Sequence, residues 1–382
     1  MIALYTLSSS LHKETYCDAS QEPFIKEIEN SLGSQFLYRG EDFSAYGTGC
    51  RDIIYVRTGG TEGLFRELGL TGDIRLLTSG KSNSLAASME ILSYIRSRGG
   101  RGEIIHGSPA LIAERIVSEL AGDAESELIG ALPPVDLGGV HLGVIGAPSD
   151  WLISSNVDYG KVADRMNALM IDIPMDELLY ELDSFKGDLR SFEGSEAIYY
   201  ALRALIDRYG LSGLTLRCFD LLDSVHNTGC LALARLNAEG IPSSCEGDIP
   251  ALLSMMVSYR KTGCPGFQCN LSRVDGDELL FAHCTVPLSM VRSYSYASHF
   301  ESGIGTAIKG ELPEGPVTIF KISPDLEHYV ALPGELVRNQ SEPCLCRTQV
   351  IVKANGAGRY LLTAPLANHH IIVPGLPEQL NL

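Results

Sequence analysis

The chain has 382 residues, 45% of them hydrophobic, with 47 acidic against 30 basic side chains and a formal net charge of −17. This length accommodates two or three separately cored units of a globular protein, and the acidic balance argues against a nucleic-acid groove or an anionic membrane as partner. No apolar run approaches the ~20 residues of a membrane-crossing helix, the first residues lack a basic, apolar leader, and ten cysteines without an export signal fit free thiols in a reducing cytoplasm.

In chain order, residues 2–6, 52–57, 74–78 and 103–106 have strand patterns, and 22–32, 84–98 and 109–120 have helical ones. In 84–98 the apolar positions Leu85, Met89, Leu92 and Ile95 recur at helical spacing. Alternating strand and helix predicts a parallel sheet covered on both faces. Two glycine-rich turns, Thr58-Gly59-Gly60-Thr61-Glu62 and Ser79-Gly80-Lys81-Ser82-Asn83, join strands to helices. They match neither GxxxxGK[ST] nor GxGxxG, so tight turns are expected, with contact to a substrate as the other reading.

Residues 122–139, with Glu125, Glu127 and Pro133-Pro134, read as a linker. A second strand–helix series follows, with strands at 140–145, 170–173, 214–218 and 241–245 and helices at 156–169, 175–182, 194–209, 228–238 and 249–261. Its strand ends carry Asp220, Asp223, Glu246 and Asp248. From about Pro265 the pattern changes: 279–283, 317–322, 329–332, 348–353, 359–363 and 369–373 all read as strands separated by glycine and proline turns. The expected architecture is α/β: a Rossmann-like unit over 1–138, a second over 139–272, and an antiparallel β-barrel over 273–382.

The candidate chemistry centres on Cys245-Glu246-Gly247-Asp248, two carboxylates on a strand-to-helix turn. Parallel sheets place ligands at such strand ends, although Asp248 also suits the N-cap of the next helix. His283 ends an apolar strand, as a core residue or as a ligand. His369 and His370 are neighbours on a strand, so only one can face a given site. Carboxylate oxygen with neutral imidazole suits Mn²⁺, and also Co²⁺ or Zn²⁺. Arg292 and Arg347 have the chemistry to orient hydroxyls or a phosphate, or to form surface ion pairs.

The order Cys-Glu-Gly-Asp at 245–248, Ala-His-Cys-Thr-x-Pro at 282–287, His-Phe-Glu-Ser-Gly at 299–303, Cys-Arg-Thr-Gln at 346–349 and Asn-His-His at 368–370 resembles the L-fucose isomerase/L-arabinose isomerase superfamily, most of all its short fucose isomerase-like branch. The resemblance spans roughly residues 140–374. It implies an aldose–ketose isomerase using a divalent metal, usually Mn²⁺, and an enediol proton transfer on a small-molecule sugar. It also implies a homo-oligomer, a trimer or hexamer with sites completed across subunits. Glu246, Asp248 and His369 match metal-binding positions, and His283 a ligand or near-ligand; Arg292, Glu301, Arg347 and Asn368 are then expected to touch substrate. The sequence departs from the pattern where a second carboxylate is expected, at 266–270 (Gly-Phe-Gln-Cys-Asn) and at 226–230 (His-Asn-Thr-Gly-Cys). The base therefore falls to Asp220 or to the spare member of Glu246 and Asp248. Two alternatives are a non-catalytic sugar-binding or regulatory protein on the same fold, and a metal-assisted sugar epimerase or lyase.

Overall fold

The structure is a computed structural model that describes residues 1–9, 18–121 and 128–382; the linker acids Glu125 and Glu127 lie outside the described residues. The first sheet is parallel throughout, in the order β2-β1-β3-β4-β5. Its strands are β1 (Ile2–Leu7), β2 (Leu37–Gly40), β3 (Arg51–Val56), β4 (Asp73–Thr78) and β5 (Arg101–Ile105). Helices α1 (Pro23–Leu32), α2 (Glu62–Leu68), α3 (Ser84–Ser97) and α4 (Pro109–Val117) alternate with them. Proline opens α1 and α4, where a missing N–H costs nothing. The short edge strand β2 has no counterpart in the sequence reading, because four half-exposed residues show no period.

A three-residue strand, β6 (Ile129–Ala131), lies in the expected linker. The second sheet follows, with β7 (Val140–Ile145), β8 (Ala168–Ile173), β9 (Leu211–Leu216) and β10 (Ser243–Ser244) parallel in the order β10-β9-β7-β8. Its helices are α5 (Tyr159–Met166), α6 (Met175–Leu182), α7 (Phe192–Tyr209), α8 (Asp220–Ser224), α9 (Cys230–Ala238) and α10 (Ile249–Thr262).

The remaining strands are β11 (Phe267–Asp275), β12 (Glu278–His283), β13 (Ser293–Ala297), β14 (Ala307–Glu311), β15 (Gly315–Ile322), β16 (His328–Gln340), β17 (Thr348–Lys353) and β18 (His370–Pro374). Six of them form an antiparallel barrel in the order β15-β18-β11-β12-β17-β16, closed by β15 on β16. β6 pairs with β16 outside the closed ring, and β13 and β14 form a separate hairpin. Strand β11 runs across position 272, where the sequence pattern ended the second unit. The expected strand at 359–363 is instead part of helix α11 (Ala357–Thr363). Gly356 supplies a left-handed start at φ 72°, and Tyr360 and Leu361 turn inward at consecutive helical positions, which strand alternation forbids.

The barrel is wedged between two helices. Leu85, Met89 and Leu92 of α3 share one core with Phe267, Leu271 and Ile319 of the barrel. On the other side, Leu252, Leu253 and Met256 of α10 pack on Phe320, Ile322, Ile371 and Val373. The turn before α10, the N-terminal half of α3 and the ends of β12, β15 and β18 therefore converge. Among the described residues no helix is long and apolar enough to cross a membrane.

Candidate metal centre

The turn between β10 and α10 is built around two successive left-handed residues, Glu246 at φ 66° and Gly247 at φ 65°. Gly247 is required there for contact as well as conformation: a Cβ would sit 2.8 Å from the Ala147 carbonyl oxygen and 2.9 Å from the Ser149 nitrogen. Gly247 N–H donates to the Leu216 carbonyl at 2.9 Å and its own carbonyl accepts from Ser149 N–H at 3.2 Å, so the turn is fastened to the ends of β9 and β7. Asp248 caps α10, accepting from Ala251 N–H at 2.8 Å through Oδ1.

Glu246, His283 and His369 each offer one ligand atom, all within 4.8 Å of one another. Glu246 Oε1 lies 3.6 Å from His283 Nε2 and 3.5 Å from His369 Nε2. The histidines are oriented from behind. His283 Nδ1 meets Thr285 Oγ1 at 2.9 Å, and His369 Nδ1 meets Asp248 Oδ2 at 2.8 Å. His369 Nε2 is buried and has no hydrogen-bond partner among the described residues. His370 faces the other way, bonded to Tyr360 and to the Asn368 carbonyl, with burial first pushing it down to about 3.

The electrostatics favour positive charge in this space. Burial alone would raise the Glu246 carboxyl, but His369 and then His283 hold it well below the usual carboxylate range. Burial alone would lower His369, but Glu246 and Asp248 lift it to about 9. A carboxylate oxygen and two imidazole nitrogens, one of them orphaned, form a donor set that fits a borderline divalent cation with coordination positions left open. Asp248, expected among the ligands, stands behind this set instead: one oxygen caps the helix and the other bonds His369 Nδ1.

A wider wall adjoins the centre. Trp151 Nε1–H donates to Glu246 Oε2 at 3.3 Å. Trp151, Phe219 and His299 follow one another edge to face, with centroids 5.3 and 6.1 Å apart. Glu301 accepts from Asn83 Nδ2–H at 2.7 Å, which brings the second glycine-rich turn of the N-terminal unit to the wall. Burial first, and then the Glu246 charge, raises the Glu301 carboxyl. Arg347 donates to the Ser298 carbonyl at 2.6 Å and steadies the 299–303 loop. Asn368 Oδ1 is buried without a hydrogen-bond partner among the described residues, and its backbone N–H donates to Glu90 at 3.1 Å.

Two further expectations change. Asp220 is paired with Arg217 at 3.0 Å, its side chain 38% exposed; Arg217 stacks on Trp151 4.9 Å from the ring, which leaves Asp220 on the outer side of the wall. Arg292 is exposed at the start of the β13 hairpin and donates to the Leu312 carbonyl at 3.3 Å, with no contact to the centre. Cys230 packs with Ala282, Cys284, Ala307 and Cys346 as a core residue.

Sequence reasoning passed over Trp151, Glu62, Glu90 and Lys321. Glu62 is buried beside the first glycine-rich turn, and the charges of Glu90, Glu246 and Glu301 all reach it. Glu90 accepts from Ser154 N–H at 2.7 Å and Ser155 Oγ–H at 3.1 Å. The available signals were an acid within the apolar helical pattern 84–98 and a lysine inside the apolar run Val317 to Ile322. A groove of about 640 Å³ lined by Tyr259, Met290 and Pro313 includes none of the centre residues.

No protein-family model matches the chain. It is 29% identical over 167 residues, 41% of its length, to a sulfoquinovose isomerase of Clostridium sp. (strain MSTE9). The chain spans 37% of that relative's own length, so the likeness to a sugar isomerase is partial.

Proposed function

We propose that the protein is a metal-dependent aldose–ketose isomerase. The observation that carries this reading is the convergence of Glu246, His283 and His369 with an unpartnered His369 nitrogen facing Glu246. The five motifs resembling fucose and arabinose isomerases, and a partial likeness to a protein named for isomerising a sugar, support it independently. A bound divalent cation, Mn²⁺ in this proposal, supplies Lewis-acid polarisation of a sugar carbonyl and acidifies the neighbouring hydroxyl.

The chain's own residues divide the remaining work. Glu246, His283 and His369 hold the cation, each histidine fixed by the bond behind it. Trp151 and Phe219 offer flat apolar surface for a sugar ring. Glu301, rather than Asp220, carries a proton between C1 and C2: it is a carboxyl that burial raises above its ordinary value, and Asn83 fixes its direction. His299, beside it, is lowered first by burial and can serve the hydroxyl proton. Asn368 Oδ1 is available to a substrate hydroxyl. A cytoplasmic homo-oligomer belongs to the same proposal.

The test is a panel of aldoses incubated with the Mn²⁺-loaded protein in D₂O and followed by NMR. The panel includes fucose, arabinose and the sulfonated hexose named by the relative. Ketose formation with deuterium at the reprotonated carbon is expected, and is lost in Glu301→Gln while Mn²⁺ still binds. Stabilisation by a sugar with no conversion of any of them would replace this reading with a non-catalytic binding protein.

A further inference from the structure

Lys321 is completely buried on β15, and Nζ has no hydrogen-bond partner among the described residues. Its environment is nonetheless charged. Asp248 Oδ2 lies 3.8 Å away. Glu90 of α3 and His370 of β18 also feel its charge. The oxygens of Glu90 are already committed to Ser154, Ser155 and Asn368. Asp248 is thus the group the lysine faces most directly.

A lysine in an apolar strand is costly unless something uses it. Two features show what that is. First, Asp248 is itself fully buried, and Oδ2, the oxygen nearest Lys321, is the one that meets His369 Nδ1 at 2.8 Å. Second, the two elements are fastened beside the pair: Ile322 N–H, one residue after Lys321, donates to Ser254 Oγ of α10 at 3.0 Å, and Asp248 caps that helix. Lys321, Asp248, His369 and Glu246 form a line from the barrel interior to the candidate cation site.

We propose that Lys321 is a positioning residue that pins the Asp248 carboxylate against His369 Nδ1–H, so that the imidazole presents Nε2 to the cation held with Glu246 and His283. This rests on the metal reading above. Partners that orient a ligand histidine from behind contribute 10–100-fold to metal affinity in other sites, and Lys321 acts one step further back, through Asp248.

The experiment is a double-mutant cycle on Mn²⁺ affinity, read by quenching of Trp151, the single tryptophan, in wild type, Lys321→Met, Asp248→Asn and the double variant. Each single variant is expected to bind roughly 10–100-fold more weakly, and the double variant no more weakly than Asp248→Asn alone, because the two act in series. Lys321→Arg should recover most of the loss. Lys321→Gln should not, and it replaces the methionine variant if that one does not fold. A second readout is the downfield His369 Nδ1–H resonance in the metal-free protein, which should lose exchange protection in the lysine variants. Wild-type affinity in Lys321→Met, or losses that multiply in the double variant, would overturn the proposal. The two ideas separate cleanly. Loss of Mn²⁺ in Glu246→Gln with none in Lys321→Met sinks the lysine's role alone. Absence of Mn²⁺ binding in wild type sinks the metal reading, and an unchanged His369 resonance in Lys321→Met then overturns the positioning role as well.

Discussion

At the scale of single residues, two adjacent histidines behave oppositely because neighbours on extended chain point to opposite sides. His369 faces Glu246 and His370 is bonded to Tyr360. His369→Gln should abolish tight metal binding, and His370→Gln should leave it intact while lowering the thermal midpoint; calorimetric titration of both variants decides. Glu62 is a second case. Burial first, and then the charges of Glu90, Glu246 and Glu301, push its carboxyl up to about 8. The unfolded chain releases this proton near 4.5, whereas the folded chain keeps it until about 8. The native state binds more protons across that window, so stability falls as pH rises through it and levels off above. The total is on the order of 3–5 kcal/mol. Glu62→Gln removes the slope, so metal-free variant and wild type should unfold alike at pH 5, with the variant more stable at pH 8.5. A variant no more stable than wild type at pH 8.5 would contradict the burial argument.

At the scale of elements, the β10–α10 turn explains both what the sequence shows and what it hides. Cys-Glu-Gly-Asp before an apolar helix is legible as a capped helix start. That Asp248 both caps and orients is not legible, because its second partner lies 121 positions away. The left-handed Glu246–Gly247 pair leaves no room for a side chain at 247. Gly247→Ala should therefore cost about 2–4 kcal/mol in denaturant unfolding and weaken metal binding by shifting Glu246; unchanged values of both would show that the turn tolerates movement. Helix 357–363 takes the place of the expected strand at 359–363 because a short apolar run fits either period.

At the scale of the molecule, the order of layers follows from periodicity alone: two strand–helix series, then alternating strands. Periodicity does not say which ends meet. The barrel is held between α3 and α10, and only this docking brings Glu90, Asn83 and Glu62 of the N-terminal unit toward Glu246. The sequence pattern therefore points to Asp220, on the same sheet, and does not reveal that Glu62 and Glu301 come close enough to feel the Glu246 charge. Glu90 bridges three segments through Ser154, Ser155 and Asn368. Glu90→Ala strips partners from two backbone N–H groups and should cost roughly 3 kcal/mol, measurable as a lower denaturation midpoint with an unchanged slope.

The central claim is that Glu246, His283 and His369 together hold a divalent cation. The most direct measurement is bound Mn²⁺ per chain after equilibrium dialysis, in wild type and in Glu246→Gln, His283→Gln and His369→Gln, each checked for native circular dichroism. The account predicts one ion per wild-type chain and a large loss in every folded variant. Wild-type stoichiometry in all three variants would contradict it.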